Sequence, residues 1–290
     1  MNCKCCWYLS LTLFISFFAS CEKDIDIDLK ESEPRLVVDG SIENGANPVV
    51  VLNKSLDYFG TITTDLLLSS FVRNATVTIK EGNNVFRLRE DSIPLTTGAF
   101  YYFYRTDSLT GKLNTSYTLN ITAEGRSYSA TTTIPQITRK IDSLWAEKAP
   151  IKDTVLFRMM IRATDKPGFG DYIRYFTKTN ADPFFPGFNS VFDDQVIDGK
   201  TYTIQVDRGI NKNVDNNDTD IYYNPGDTAT LKLCNIDRIT YDFWRTFEFS
   251  FQSIGNPFSS PTKILSNISN GGLGYFGGYA AQYRTVVMPK

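Results

Sequence analysis

The chain is predicted to be all-β, built as two β-sandwich-like domains, the first immunoglobulin-like, with one amphipathic helix in the second. Three observations carry this. Short runs of period-two alternation recur along the chain, bounded by turn residues. Two of them close into hairpins with favourable turn chemistry. One segment alone, over about 236–253, spaces its apolar residues at three and four.

The first domain is expected over residues 34–135. Leu36–Gly40 and Val49–Leu52 read as strands parted by the turn residues Asn44-Gly45-Ala46-Asn47-Pro48. Ala75-Thr76-Val77-Thr78-Ile79 alternates, turns at Glu81-Gly82-Asn83-Asn84 and returns as Val85–Arg89. Gly98–Tyr104 is aromatic from Phe100 onward, with residues 100 and 102 toward one side and 101 and 103 toward the other. Such a strand can stack sugars or bases; packing is the better reading, because aromatics are good strand residues in their own right. Tyr117, Leu119 and Ile121 alternate with polar residues, Ala123-Glu124-Gly125-Arg126 turns, and Tyr128, Ala130 and Thr132 carry the chain back to Pro135. Several short strands at this spacing make a sandwich of roughly 100 residues.

A linker, Gln136–Lys140, opens the second domain, 136–290. Phe157–Ala163 and Asp171–Thr177 read as strands around the turn Asp165-Lys166-Pro167-Gly168. Asp182-Pro183-Phe184-Phe185-Pro186-Gly187-Phe188 cannot be a central strand, since two prolines cannot donate to a ladder. It is expected as an aromatic loop, which makes Phe184, Phe185 and Phe188 candidates for contact with a partner or ligand. Thr201–Val206 and Ala229–Leu233 continue the β pattern. Between them, Asn211–Asp220 is rich in side-chain oxygens and invites calcium. It lacks the glycine and the bidentate glutamate of a calcium loop, so a solvated loop is expected and no metal site.

Ile236, Ile239, Phe243, Phe247 and Phe251 form the helical stripe, with Asn235 as the expected N-cap and Trp244 widening the apolar face. A stripe this bulky suits sealing a core better than gripping a cofactor. The glycine-dense stretch Asn267–Tyr279 lacks the lysine of a phosphate loop and reads as tight turns with close backbone packing. Tyr275 and Phe276 within it are the remaining contact candidates.

Composition excludes more than it assigns. The chain has 290 residues and a formal charge of −2, and no basic patch of the kind nucleic-acid binders carry. It contains 21 Phe and 16 Tyr, which suit strands and binding surfaces alike. Histidine is absent altogether, which removes Ser-His-Asp and Cys-His hydrolases and the common histidine-rich zinc sites. Enzymes built on paired carboxylates remain open. No motif supplies a nucleophile, base and stabiliser together, so the expectation is a non-enzyme without a cofactor.

The N-terminus has the layout of a signal peptide over residues 1–20: Lys4, an apolar run from Trp7 to Phe18, then small residues. That run is too short to span a bilayer, which needs roughly 20 apolar residues. Cys3, Cys5 and Cys6 leave with it. Cys234, in alternating Thr230–Cys234, then reads as a buried strand thiol, and no disulfide framework is possible. The stretch Phe17-Phe18-Ala19-Ser20-Cys21 resembles a bacterial lipobox, with Phe18 where leucine is most common. That resemblance makes Cys21 the lipidated first residue of the mature protein; the alternative is an ordinary secreted protein with a cysteine near its start. Residues 21–33 then form an acidic tether, although Ile25, Ile27 and Leu29 alternate as an edge strand would. Fully extended, about 13 residues at 3.3–3.6 Å each reach roughly 45 Å.

The order of these features, from the cysteine through Leu36–Gly40, Ala75–Ile79, Tyr117–Pro135, Tyr241-Asp242-Phe243-Trp244, Asn256-Pro257-Phe258 and Asn267–Gly277, resembles the family catalogued as domain of unknown function 4249. The most specific part is Asn267-Ile268-Ser269-Asn270-Gly271-Gly272-Leu273-Gly274-Tyr275-Phe276. The resemblance implies an outer-membrane lipoprotein of the Bacteroidota, often encoded beside a TonB-dependent receptor, with no established activity. Glu22, Asp24, Asp26 and Asp28 are similar to the surface-export signal of lipoproteins in that lineage, which implies an outward-facing, cell-surface protein; the alternative faces the periplasm. The leading expectation is an accessory to such a receptor, capturing a ligand or covering the barrel. A structural or adhesive surface module is the alternative, and a carboxylate-based glycosidase a third class.

Overall fold

The alternating segments form strands where their period places them, and the two hairpins close as their turn residues require. The computed structural model describes residues 33–290 except 57–62, 97, 153, 213, 215–216, 255, 257, 259 and 261. The signal peptide and tether, with Cys21, Glu22, Asp24, Asp26 and Asp28, lie outside the described residues.

In the first half, β1 (Leu36–Glu43) and β2 (Val49–Lys54) are followed by a short helix, α1 (Thr64–Ser69), capped by the Thr63 hydroxyl accepting from Leu66 N at 3.2 Å. This helix buries none of its residues and has no apolar stripe to announce it. Next come β3 (Thr76–Glu81), β4 (Asn84–Pro94), β5 (Phe100–Arg105), β6 (Thr115–Ala123) and β7 (Arg126–Ile134). The turn between β6 and β7 holds Glu124 at φ 50° and Gly125 at φ 76°, the left-handed pair that a two-residue hairpin favours.

The eleven-stranded sheet has the order β11-β10-β13-β14-β1-β2-β5-β4-β3-β6-β7. It turns back on itself at β4, whose first residues pair with β3 and whose last six, from Arg89, pair with β5. Alternate side chains of the facing halves, among them Val38, Leu52, Ile79, Leu119 and Ile121, fill one core. This is the β-sandwich-like arrangement the alternation predicts.

The second half adds β8 (Lys140–Lys148), β9 (Phe157–Thr164), β10 (Tyr172–Thr179), β11 (Phe185–Asp193), β12 (Thr201–Val206), β13 (Thr228–Ile236), α2 (Arg238–Gln252) and β14 (Leu273–Val287). A separate sheet, β12-β9-β8, packs Met159, Ile161 and Ala163 against Ile173, Leu231 and Leu233 of the large sheet. On the opposite face, α2 presses Phe243, Trp244 and Phe247 onto Tyr275 and Tyr279.

Three expectations change. Residues 34–290 make one compact unit, so position 136 is no boundary between separate bodies. The reason is β14, which the glycines disguised: it is a fifteen-residue strand running parallel to β1, with Val38 opposite Gly274, and it ties the end of the chain to its beginning. The aromatic loop expected at 182–188 stops at Phe184, and residues 185–188 are instead the start of β11; Pro186 fits there because β11 is an edge strand. The N-cap of α2 is Asp237, whose Oδ1 accepts from Thr240 N at 2.9 Å, while Asn235 still belongs to β13.

Candidate ligand-binding cavity

Tyr202, Ile204 and Val206 share one face of β12, opposite Ala163, Ile161 and Met159 of β9. Along that face exposure jumps from 8 % at Val206 to 49 % at Ile204. Val206 and Tyr202 pack against the core between the sheets, whereas Ile204 between them stands at a gap. The gap is a cavity of about 1180 Å³ between β12 and the β10–β11 edge, somewhat above the roughly 300–1,000 Å³ usual for ligand pockets.

Its wall is mainly aliphatic and aromatic. Ile161, Ile173, Leu231 and Leu233 line it from the strands, and Phe188, Phe192 and Phe251 from β11 and the end of α2. Tyr175 lies in it, 8 % exposed and stacked on Phe192 with ring centroids 6.2 Å apart. Gly187 allows this: a Cβ there would lie 1.8 Å from the Tyr175 hydroxyl oxygen. Burial pushes the Tyr175 phenol well above its ordinary range, and the Asp207 charge adds to the effect.

Four charged groups line the cavity. Lys212 sits between Phe188 and Phe251, its Nζ 5.8 and 5.5 Å from the ring centroids, and donates to Phe188 O at 3.3 Å. Burial lowers the Lys212 ammonium below its usual range, with the Glu248 charge opposing and Arg174 reinforcing. Asp193 accepts from the Tyr241 hydroxyl at 3.3 Å, and Asp207 from Gln205 Nε2 at 2.8 Å. Asp218 is the third acid at the cavity.

Behind the wall, a buried polar network fixes α2 to the sheet. The Arg174 guanidinium lies 3.3 Å above the Trp244 ring centroid and donates from Nε to Ser190 Oγ at 3.1 Å and from Nη1 to Tyr279 Oη at 3.2 Å. Glu248, 5 % exposed, accepts from Ser190 N at 3.0 Å and from the Ser190 hydroxyl. The two charges are linked through Ser190 rather than paired directly, and a buried charge that loses its hydrogen-bond partners is costly.

A second polar cluster lies where the linker meets two turns. Asp165, Asp171 and Asp194 bring carboxylate oxygens within 4.8 Å of one another, the one group of acids among the described residues close enough to share a cation. Arg139 already provides positive charge there: it is fully buried and pairs with Asp165 at 2.8 Å. Burial raises the Asp171 carboxyl above its ordinary range, with Asp165 and Asp194 adding and a hydrogen bond from Thr138 opposing. A carboxyl so raised takes up its proton at higher pH when folded than when unfolded. Its stabilising contribution is complete below the unfolded value of about 3.9 and is lost as pH rises through the folded one. Asp171→Asn is expected to stabilise the fold by up to about 1 kcal/mol at pH 7.5, a modest figure because the group is half-exposed. The gain should shrink toward pH 4.5, as thermal melts at the two pH values would show; equal or lower stability at pH 7.5 would contradict it.

Of the five candidate contact residues, Phe188 alone lines the cavity. Phe184 packs edge-on against Tyr283 with centroids 5.8 Å apart, and Phe185 pairs with Thr177 in the ladder. Tyr275 is 7 % exposed and stacked on Phe243 at 4.6 Å, and Phe276 is wholly buried in the first core. Both serve packing and are corrected as contact sites, because β14 is central rather than a surface turn. Cys234 is buried, and desolvation pushes its thiol up to about 12. Sequence reasoning missed Tyr175, Lys212 and Glu248. The one signal available was a lone acid between Phe247 and Phe249 in an aromatic helix.

The chain is mostly β with one long helix, in a sandwich-like arrangement. The family model described as domain of unknown function 4249 matches residues 22–285, and the chain belongs to that family. No curated protein matches the chain.

Proposed function

We propose that the protein is a non-enzymatic lipoprotein of the outer membrane that captures a ligand for a TonB-dependent receptor. The observation that carries the capture role is the apolar cavity where β12 parts from the β10–β11 edge. Ile204, Phe188 and Phe192 stand half exposed along it, and large apolar side chains left open to water are what a binding surface requires and a core does not. The membrane location rests on Cys21 and the apolar run before it, and the receptor on what the family resemblance implies. The absent histidine supports binding over hydrolysis.

The test is affinity capture of the tagged protein from detergent-solubilised outer membranes beside Cys21→Ala, with mass spectrometry of what is recovered. A TonB-dependent receptor is expected with the wild type and not with the variant. Wild type that is membrane-bound yet recovered alone would contradict the accessory role.

A further inference from the structure

We propose that the cavity takes a long-chain alkyl carboxylate, its chain along the aliphatic wall and its head group against the Lys212 ammonium. The inference rests on the capture reading and adds the class of ligand.

The wall chemistry sets the body of the ligand. Ile161, Ile173, Leu231 and Leu233, 0–6 % exposed and packed in the core, close the cavity floor, and Ile204, Phe188 and Phe192 stand half exposed above them. A flexible alkyl chain covers such a surface without needing hydrogen bonds, and each CH₂ it buries contributes about 0.8 kcal/mol. A sugar or polar peptide would leave donors and acceptors facing that floor unpaired.

Lys212 sets the head group. It makes no ion pair among the described residues, and its protein acceptor is a backbone carbonyl. Its neighbours are the Phe188 and Phe251 rings, so water is partly excluded from its ammonium. An anion arriving there gains a charge-assisted hydrogen bond in a low-dielectric setting. The nearby acids are already engaged by neutral donors, Asp193 by the Tyr241 hydroxyl, Asp207 by Gln205 and Glu248 by Ser190; Asp218 is exposed to water, which screens it. Tyr175 adds a second polar point in the cavity. The residue is 8 % exposed, with its ring stacked on Phe192.

The experiment uses the mature chain and three probes of equal length: palmitate, hexadecanol and hexadecylamine, each displacing an environment-sensitive apolar fluorophore. Palmitate is expected to bind at least about tenfold more tightly than hexadecanol. Lys212→Gln, with an unchanged circular dichroism spectrum, should erase that preference by weakening palmitate at least about tenfold more than hexadecanol. Equal binding of acid and alcohol, or preference for the amine, would overturn the head-group assignment and leave ligand capture standing. Displacement by none of the three, with the fluorophore itself bound, would overturn the alkyl-chain class alone. A fluorophore that does not bind would remove the capture reading as well.

Discussion

Gly274→Ala is expected to cost more than about 4 kcal/mol, enough to unfold a protein of ordinary stability. Gly274 has φ +85°, and a Cβ built on it would lie 1.9 Å from Val38 O and 2.8 Å from Val38 C. Neither atom is the end of a flexible side chain; both belong to the backbone of β1. The two strands must separate to admit the methyl group, and this parallel pair is what closes the large sheet across the two halves of the chain. Gly45 is the control. It has φ +76° with nothing within 4 Å of its Cβ position, so Gly45→Ala meets the backbone strain without the collision and should cost about 1–3 kcal/mol. Urea unfolding of the two variants separates the effects. Equal losses would mean that the close approach of β1 and β14 contributes nothing.

Arg174→Met is expected to cost about 3–5 kcal/mol. The substitution removes the cation stacked on Trp244 and leaves the Ser190 hydroxyl and the Glu248 carboxylate buried without it. The penalty comes from the donors lost to Ser190 and Tyr279 and from a Glu248 carboxylate left buried without that cation near it. Hence the double variant Arg174→Met/Glu248→Met should be more stable than Arg174→Met alone, since replacing both charges by apolar groups is often near neutral. Chemical denaturation of the four members of this cycle measures the coupling. Losses that simply add would show the two side chains to be independent.

What could be read from the sequence and what could not divides by the range of the interaction. The β3–β4 and β6–β7 hairpins were legible because alternation and turn residues act within a few positions of each other. The helix was legible from its stripe, and Cys234 from the alternation around it. The parallel pairing of β1 with β14 was not: its partners stand over two hundred residues apart, and glycine carries no strand preference. In this strand the glycines answer to neighbouring atoms. Gly277 faces Thr240 of α2, and Gly278 faces the Thr133 backbone of β7. No local pattern announces either contact.

The cavity was hidden for a related reason. Its residues come from β9 through β13, the segment after β12 and both ends of α2, and each reads locally as ordinary strand or helix. Phe188 was singled out for aromatic exposure, and Lys212 lies in the stretch weighed for calcium, where oxygen-rich neighbours drew attention away from it. Glu248 occupies a position that helical periodicity assigns to an apolar face. A buried acid there answers to Ser190 on a strand 58 residues earlier.

The most direct test of a ligand-binding role is a titration of an apolar, environment-sensitive fluorophore against the wild-type chain and Ile204→Trp. Ile204 is 49 % exposed, so the larger ring should be accepted by the fold while filling the gap between β12 and β11. Saturable binding to the wild type, weakened at least about tenfold (~1.4 kcal/mol) in the variant at unchanged melting temperature, is the predicted result. Equal binding by both proteins would place the fluorophore elsewhere and contradict the assignment of this cavity as the site of capture.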